Sequence, residues 1–137
     1  MSILKPDDRF TYSKLHKKDT IKYFTSGIKL FEKEVDVILW AAMIGYSENK
    51  RESFDDGISA AEGVRWHYFN EHCQTLAMLV VATEDSFDIL KVKNKDIKKN
   101  FIKNIEEHVN HGLNQMLLKK EEYADNNYLV KTLLKRL

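Results

Sequence analysis

The stretch 38-ILWAAMIGYSENKRESF-54 carries the strongest structural signal in the chain. Seven apolar or small residues run into Gly45; a tyrosine follows, then a charged stretch that ends on Phe54. Extended backwards, Val35, Ile38, Leu39, Ala42, Met43 and Tyr46 recur at helical spacing and form one stripe of an amphipathic helix. Glu32, Glu34 and Asp36 stand in its first turns, where negative charge favours the positive end of the helix dipole. Gly45, near the end of the stripe, reads as the helix stop. It stands alone, so it is no glycine-rich loop for a phosphate. The charged half, residues 47–54, reads as a protein contact or a helix-capping loop, with DNA as a third reading.

Outward from this helix the pattern stays helical. One proline and five glycines leave few breakers, which favours long regular elements. Residues 1–18 read as an irregular N-terminal arm, with a short strand allowed at 9-RFTYSKL-15. Asp19 and Thr20 can cap a helix starting near Ile21, with Ile21, Phe24 and Ile28 on its apolar side and Gly27 weakening its end. After the 47–58 loop, Asp56-Gly57 is a turn signal, and Ser59 with Glu62 has capping-box spacing. Residues 66-WHYFNEHCQTLAMLVVATE-84 read as a third helix, apolar all round in its second half and therefore the most buried. Residues 95–122 form the longest helix, on the stripe Ile97, Phe101, Ile105, Val109, Gly112 or Leu113, and Met116. A C-terminal amphipathic helix at 125–137 carries Val130, Leu133, Leu134 and Leu137. The expectation is a single all-α domain of four to five helices spanning residues 1–137.

Composition narrows the function classes. One cysteine excludes an intramolecular disulfide and fits a reducing compartment. The N-terminus lacks a signal-peptide apolar core. The longest apolar run, 76-LAMLVVA-82, is far shorter than the roughly 20 residues a membrane helix needs. These features point to a soluble cytoplasmic protein. Net charge is +1, but residues 1–30 carry +4, residues 31–88 carry −8 and residues 89–137 carry +5. Either the basic ends pack near the acidic middle, or they form one basic surface for a phosphate backbone. Lysine outnumbers arginine eighteen to four, which leans against sequence-specific DNA reading.

Catalytic motifs are missing. Glu107/His111 and His108/His111 are spaced to share a helix face, and His67, Glu71, His72 and Cys73 are the further candidates. Neither helix offers the Glu-x-x-His of a di-metal bundle, and HExxH is absent. The histidines therefore read as polar-face or interface residues, and no metal or cofactor is expected. Cys73, on the face of Phe69 and Leu76, reads as a small buried hydrophobe. The adjacent pairs Asp55-Asp56 and Glu106-Glu107 diverge and make poor acid/base partners. No enzyme activity and no small-molecule substrate are expected.

Binding signals are stronger. Lys50, Arg51 and Phe54 follow the apolar helix, and Arg65-Trp66 precede the next; arginine with aromatics is hot-spot composition. Phe54 and Trp66 serve equally well to close the end of the bundle. Lys93, Lys95, Lys98 and Lys99, with Lys103, form a solvated face or a nonspecific, salt-sensitive phosphate patch. Leu133 and Leu137 on the terminal helix complete the candidate contact residues.

The order of these features resembles a group of small helical proteins associated with DNA phosphorothioation (Dnd) defence loci. FEKEVDVILWAAMIGY is similar to that group's "FAAALGF" pattern, followed by the basic loop NKRESF, Val64-Arg65-Trp66 with Phe69, then DSFDIL. IEEHVNHGL is similar to "EEYANGGL", with His111 where the pattern has a small residue or glycine. The resemblance covers about residues 31–117. It implies an accessory subunit of an antiphage defence assembly, with larger ATPase, helicase or nuclease partners and DNA met indirectly. It brings no catalytic residues. The alternative is a small DNA-binding regulator using its basic termini.

Overall fold

In the computed structural model, which describes residues 4–84 and 95–127, strand β1 (Arg9–Phe10) pairs antiparallel with β2 (Val64–Arg65). Arg9 stands opposite Arg65 and Phe10 opposite Val64. Every other regular element among the described residues is helical. Helix α1 (Lys14–His16) runs straight into a π-helix, Lys17–Gly27. Then come α2 (Glu34–Glu48), α3 (Cys73–Glu84), α4 (Lys95–Leu118) and α5 (Lys120–Asp125). Short 3₁₀ turns occupy Ala60–Glu62 and Trp66–His72. The protein is all-α with a small N-terminal ribbon, as its periodicity implies.

The pair α2 and α4 forms the centre, and glycine makes the approach possible. A Cβ on Gly45 would lie 2.1 Å from the His108 carbonyl oxygen, and one on Gly112 would lie 1.9 Å from that of Ala41. Each helix thus presses backbone into the other's glycine. Gly45 is a packing residue, not the helix stop. The stop is Asn49, held left-handed at φ 52°, ψ 48°. Its N–H reaches the Tyr46 carbonyl and that of Lys50 the Gly45 carbonyl, closing a Schellman motif. This contact also turns α2 relative to the expected stripe. Val37, Ile38, Ala41, Ala42 and Gly45 are buried, whereas Met43 is 53% exposed.

Three other expectations are corrected. Helical structure begins at Lys14, not near Ile21, because the buried face of the first helix is partly polar. His16 and Thr20, each 0% exposed, continue the Ile21–Phe24 stripe backwards, and a search for apolar spacing passes over them. The third helix is not the most buried. Asn70, at φ 51° and ψ −123°, kinks the chain within the Trp66–His72 turn that leads into α3, and among the described residues of α3 only Leu76 and Val80 are buried, with Met78 68% exposed. The most buried stretch is α4 at residues 108–113, all buried. The 95–122 helix is broken at Lys119, after which α5 sets Tyr123 edge-on to Phe24 and within hydrogen-bond reach of the Trp40 Nε1–H.

The ribbon closes the other end of the bundle. Phe10, Trp66, Phe69 and Phe101 form an aromatic cluster with ring centroids 5.5 to 6.1 Å apart. No helix among the described residues is long and apolar enough to cross a membrane. The expected contact residues Leu133 and Leu137, with Lys93, lie outside the described residues.

Candidate functional site

The loop that leaves α2 is tied to α4 along its length. Backbone bonds run from the Glu52 N–H to the Glu107 carbonyl, and the Asn110 side-chain amide donates to the Glu52 carbonyl at 3.0 Å. Arg51 donates from Nε to Glu107 (3.1 Å) and from Nη1 to Glu84 (3.2 Å), so one guanidinium joins α3, α4 and the loop. Further on, Ser13 Oγ donates to Asp56, and the Ile58 N–H to the Tyr12 carbonyl. The charged half of the opening stretch is therefore a fixed loop.

Beneath it lies a chain of polar side chains. The Thr20 hydroxyl lies 2.6 Å from His16 Nδ1, and His16 Nε2 lies 2.6 Å from Asn114 Oδ1. An amide oxygen only accepts, so His16 donates from Nε2, and the Thr20 hydroxyl donates to a bare Nδ1. The Asn114 amide donates onward to Glu52 in a very short contact. From the far side, His111 donates from Nδ1 to Glu52 (2.8 Å) and from Nε2 to Glu48 (3.1 Å). Both partners of His111 are carboxylates, so the ring is an imidazolium. Burial opposes that charge, but the two glutamates outweigh it and raise the His111 pKa above its ordinary value. Burial likewise acts against the Glu52 carboxylate, yet the bonds from His111 and Asn114 prevail and hold its pKa below the usual range. His16 is shifted the opposite way, down, chiefly by burial.

A second network flanks the first. Tyr46 stacks on His108 with centroids 4.0 Å apart and donates to Asn104, whose amide donates to Thr83 and Glu84. His108 donates from Nδ1 to the Asn104 carbonyl, leaving its buried Nε2 without a partner among the described residues. Burial lowers its pKa. His108 and His111 are core residues of the α2–α4 seam, not polar-face ones. His67 and His72 are exposed; His67 rests against Tyr68 and the Pro6 carbonyl, and His72 lies 3.8 Å from Glu71. Among the described residues no three His, Cys, Asp or Glu side chains are grouped to hold a metal ion. Cys73 is half-buried, its thiol 3.4 Å from the Trp66 carbonyl and its pKa pushed up by burial.

Two groups that are far apart in sequence meet on the surface. An open groove of about 580 Å³ runs between Ser53-Phe54 and one face of α4, lined there by Lys98, Lys99, Ile102, Lys103, Glu106 and Glu107. The Phe54 ring sits over Gly57, where a Cβ would stand 3.2 Å from it. Of the expected contact residues, Lys50, Arg51 and Phe54 stay together on the loop. Trp66 does not join them: it is 6% exposed, in the aromatic cluster. Arg65 stands apart in the ribbon. Lys98 pairs with Asp8 at 2.9 Å, Lys99 is exposed, and Lys95 begins α4. Spacing alone did not reveal Glu48, Glu52, Asn104 or Asn114, whose roles depend on the loop folding back over α4.

Residues 13–136 match the family model described as DNA sulphur modification system-associated protein 4, and the chain belongs to that family. The match reaches beyond the 31–117 span on which the resemblance was drawn. No curated protein and no solved structure matches the chain.

Proposed function

We propose that this family member is a non-catalytic adaptor subunit of a DNA-directed antiphage defence assembly, joining larger ATPase, helicase or nuclease proteins by protein–protein contact. The family supports the association with a DNA sulphur modification system. The observation that carries the adaptor reading is the loop at 49–56. It holds Lys50, Arg51 and Phe54 on a support tied to α4 by Glu52, Asn110 and His111, so its contact residues are preorganised. Most internal polar groups, His16, Thr20, Glu52, His111 and Asn114 among them, are spent on one another, which suits a scaffold better than a reaction centre. The contact surface comprises Lys50 and Phe54 with the adjoining face of α4. Arg51 supports it from below and Trp66 supports the fold.

Affinity-tagged chain, expressed from its own locus, is expected to retain the product of at least one neighbouring gene. Lys50→Glu with Phe54→Ala is expected to release it while leaving the melting temperature unchanged. Retention by the double variant would place the contact elsewhere. A duplex-DNA mobility shift by the pure chain that weakens steeply with salt would favour the regulator reading instead.

A further inference from the structure

The groove beside Phe54 has a specific chemistry. Its floor is apolar, made by the half-buried side chains of Phe54 and Ile102. Its carboxylates are already engaged inside the protein. Glu106 accepts from the Thr11 N–H and hydroxyl at 2.6 and 2.8 Å, and Glu107 accepts from Arg51. Of its three lysines, Lys98 is held by Asp8, and the other two are less committed. Lys99 makes no ion pair among the described residues, and Lys103 is 61% exposed with only a 3.9 Å approach to Glu107. Ion pairs this exposed contribute little, so both ammonium groups are available to a ligand. The groove therefore presents an apolar slot with a free positive rim on the α4 side.

We propose that this groove is the docking site for a short acidic segment of the partner protein, with one apolar side chain seated between Phe54 and Ile102 and flanking carboxylates on Lys99 and Lys103. The inference rests on the adaptor reading and names the partner's chemistry. The charges around the groove decide between a peptide and a nucleic acid. On the loop, next to Phe54, Asp55 is exposed and makes no ion pair among the described residues. A polyphosphate strand running past the slot meets that negative charge, whereas a short segment ends before it. A single aromatic on the floor also falls short of the successive stacking platforms that single strands use.

A short-peptide display library selected on the full-length chain tests this, with enriched peptides resynthesised and titrated by fluorescence anisotropy. The enriched peptides are expected to carry two or more Asp/Glu around an apolar residue. Lys99→Glu with Lys103→Glu is expected to weaken them about tenfold, the scale of losing and reversing two exposed charge contacts. Ile102→Ser should weaken them independently, and a Lys119→Glu control should not. Both lysines are exposed, so an unchanged melting curve keeps the comparison valid. The proposal is overturned if no peptide is enriched, if the enriched set has no acidic bias, or if the lysine variant binds it unchanged. It is also overturned if labelled oligothymidine, and no acidic peptide, binds in a lysine-dependent way. If the tagged Lys99→Glu/Lys103→Glu chain still retains its neighbouring-gene product, the groove fails and the adaptor reading stands. If the wild-type chain retains none, the adaptor reading itself fails.

Discussion

His111 is the residue on which the loop turns. Its ring is 3% exposed and bonded to a carboxylate on each side. Its folded-state pKa is raised above the ordinary 6.5, so the stability it contributes is complete below pH 6.5 and is lost as pH climbs through the raised value. Glu52 is shifted down, so its contribution is complete above its ordinary 4.5 and is lost as pH falls through the lowered value. The clamp is thus strongest between about pH 4.5 and 6.5. His16 and His108 act oppositely: their lowered values make the protein lose stability on acidification below 6.5. Urea denaturation should separate the two effects. The stability difference between wild type and His111→Gln is expected to be largest near pH 6 and to shrink as pH rises. Glu52→Ala removes the acceptor of two charge-assisted bonds and is expected to cost on the order of 2 kcal/mol near pH 6. A difference that grows with pH would show that His111 is not the cation of the pair.

At the scale of elements, the α2–α4 seam is set by two glycines. Gly45→Ala and Gly112→Ala each place a methyl group against a carbonyl oxygen of the opposite helix at or near 2 Å. Backbone must move, so each is expected to cost about 3 kcal/mol despite alanine's better helix propensity. Gly27→Ala is the control, because its nearest neighbour would be Tyr23 Cδ1 at 3.7 Å, and thermal melts should show little loss. Much of the element order was legible from periodicity, since α2 and α4 have clear stripes. What escaped reading were the places where a polar or small residue does the work of a core residue. Gly45 looked like punctuation because a glycine near a helix end usually is. Thr20 read as a helix cap, and His16 and Asn104 had no core role in the apolar pattern, because polar groups are rarely buried unless paired and the partners of His16 and Asn104 include residues of other helices. The apolar 76-LAMLVVA-82 looked central, but the kink at Asn70 leaves Met78 outside.

At the scale of the whole molecule, Lys17 from the basic N-terminal third meets Glu62 in the acidic middle, and His111 in the C-terminal third meets Glu48 and Glu52 there. Those pairs account for a small part of the uneven charge without a nucleic acid. The aromatic cluster holds the ribbon to α4, and Trp66→Ala is expected to destabilise the entire domain by about 3 to 5 kcal/mol. Partner retention should then fall only in step with the folded fraction. The candidate surface was half legible: Lys50, Phe54 and Lys99 were identifiable as types, but only the fold sets Phe54 beside α4 and turns Trp66 inward.

The central claim is that this chain works through the loop–α4 surface as an adaptor. Hydrogen-exchange mass spectrometry of the chain, alone and in the assembly it co-purifies with, tests this most directly. The account predicts new protection confined to peptides covering residues 49–57 and 98–107. Protection centred on the ribbon and the Trp66–His72 turn, with the loop unchanged, would contradict it.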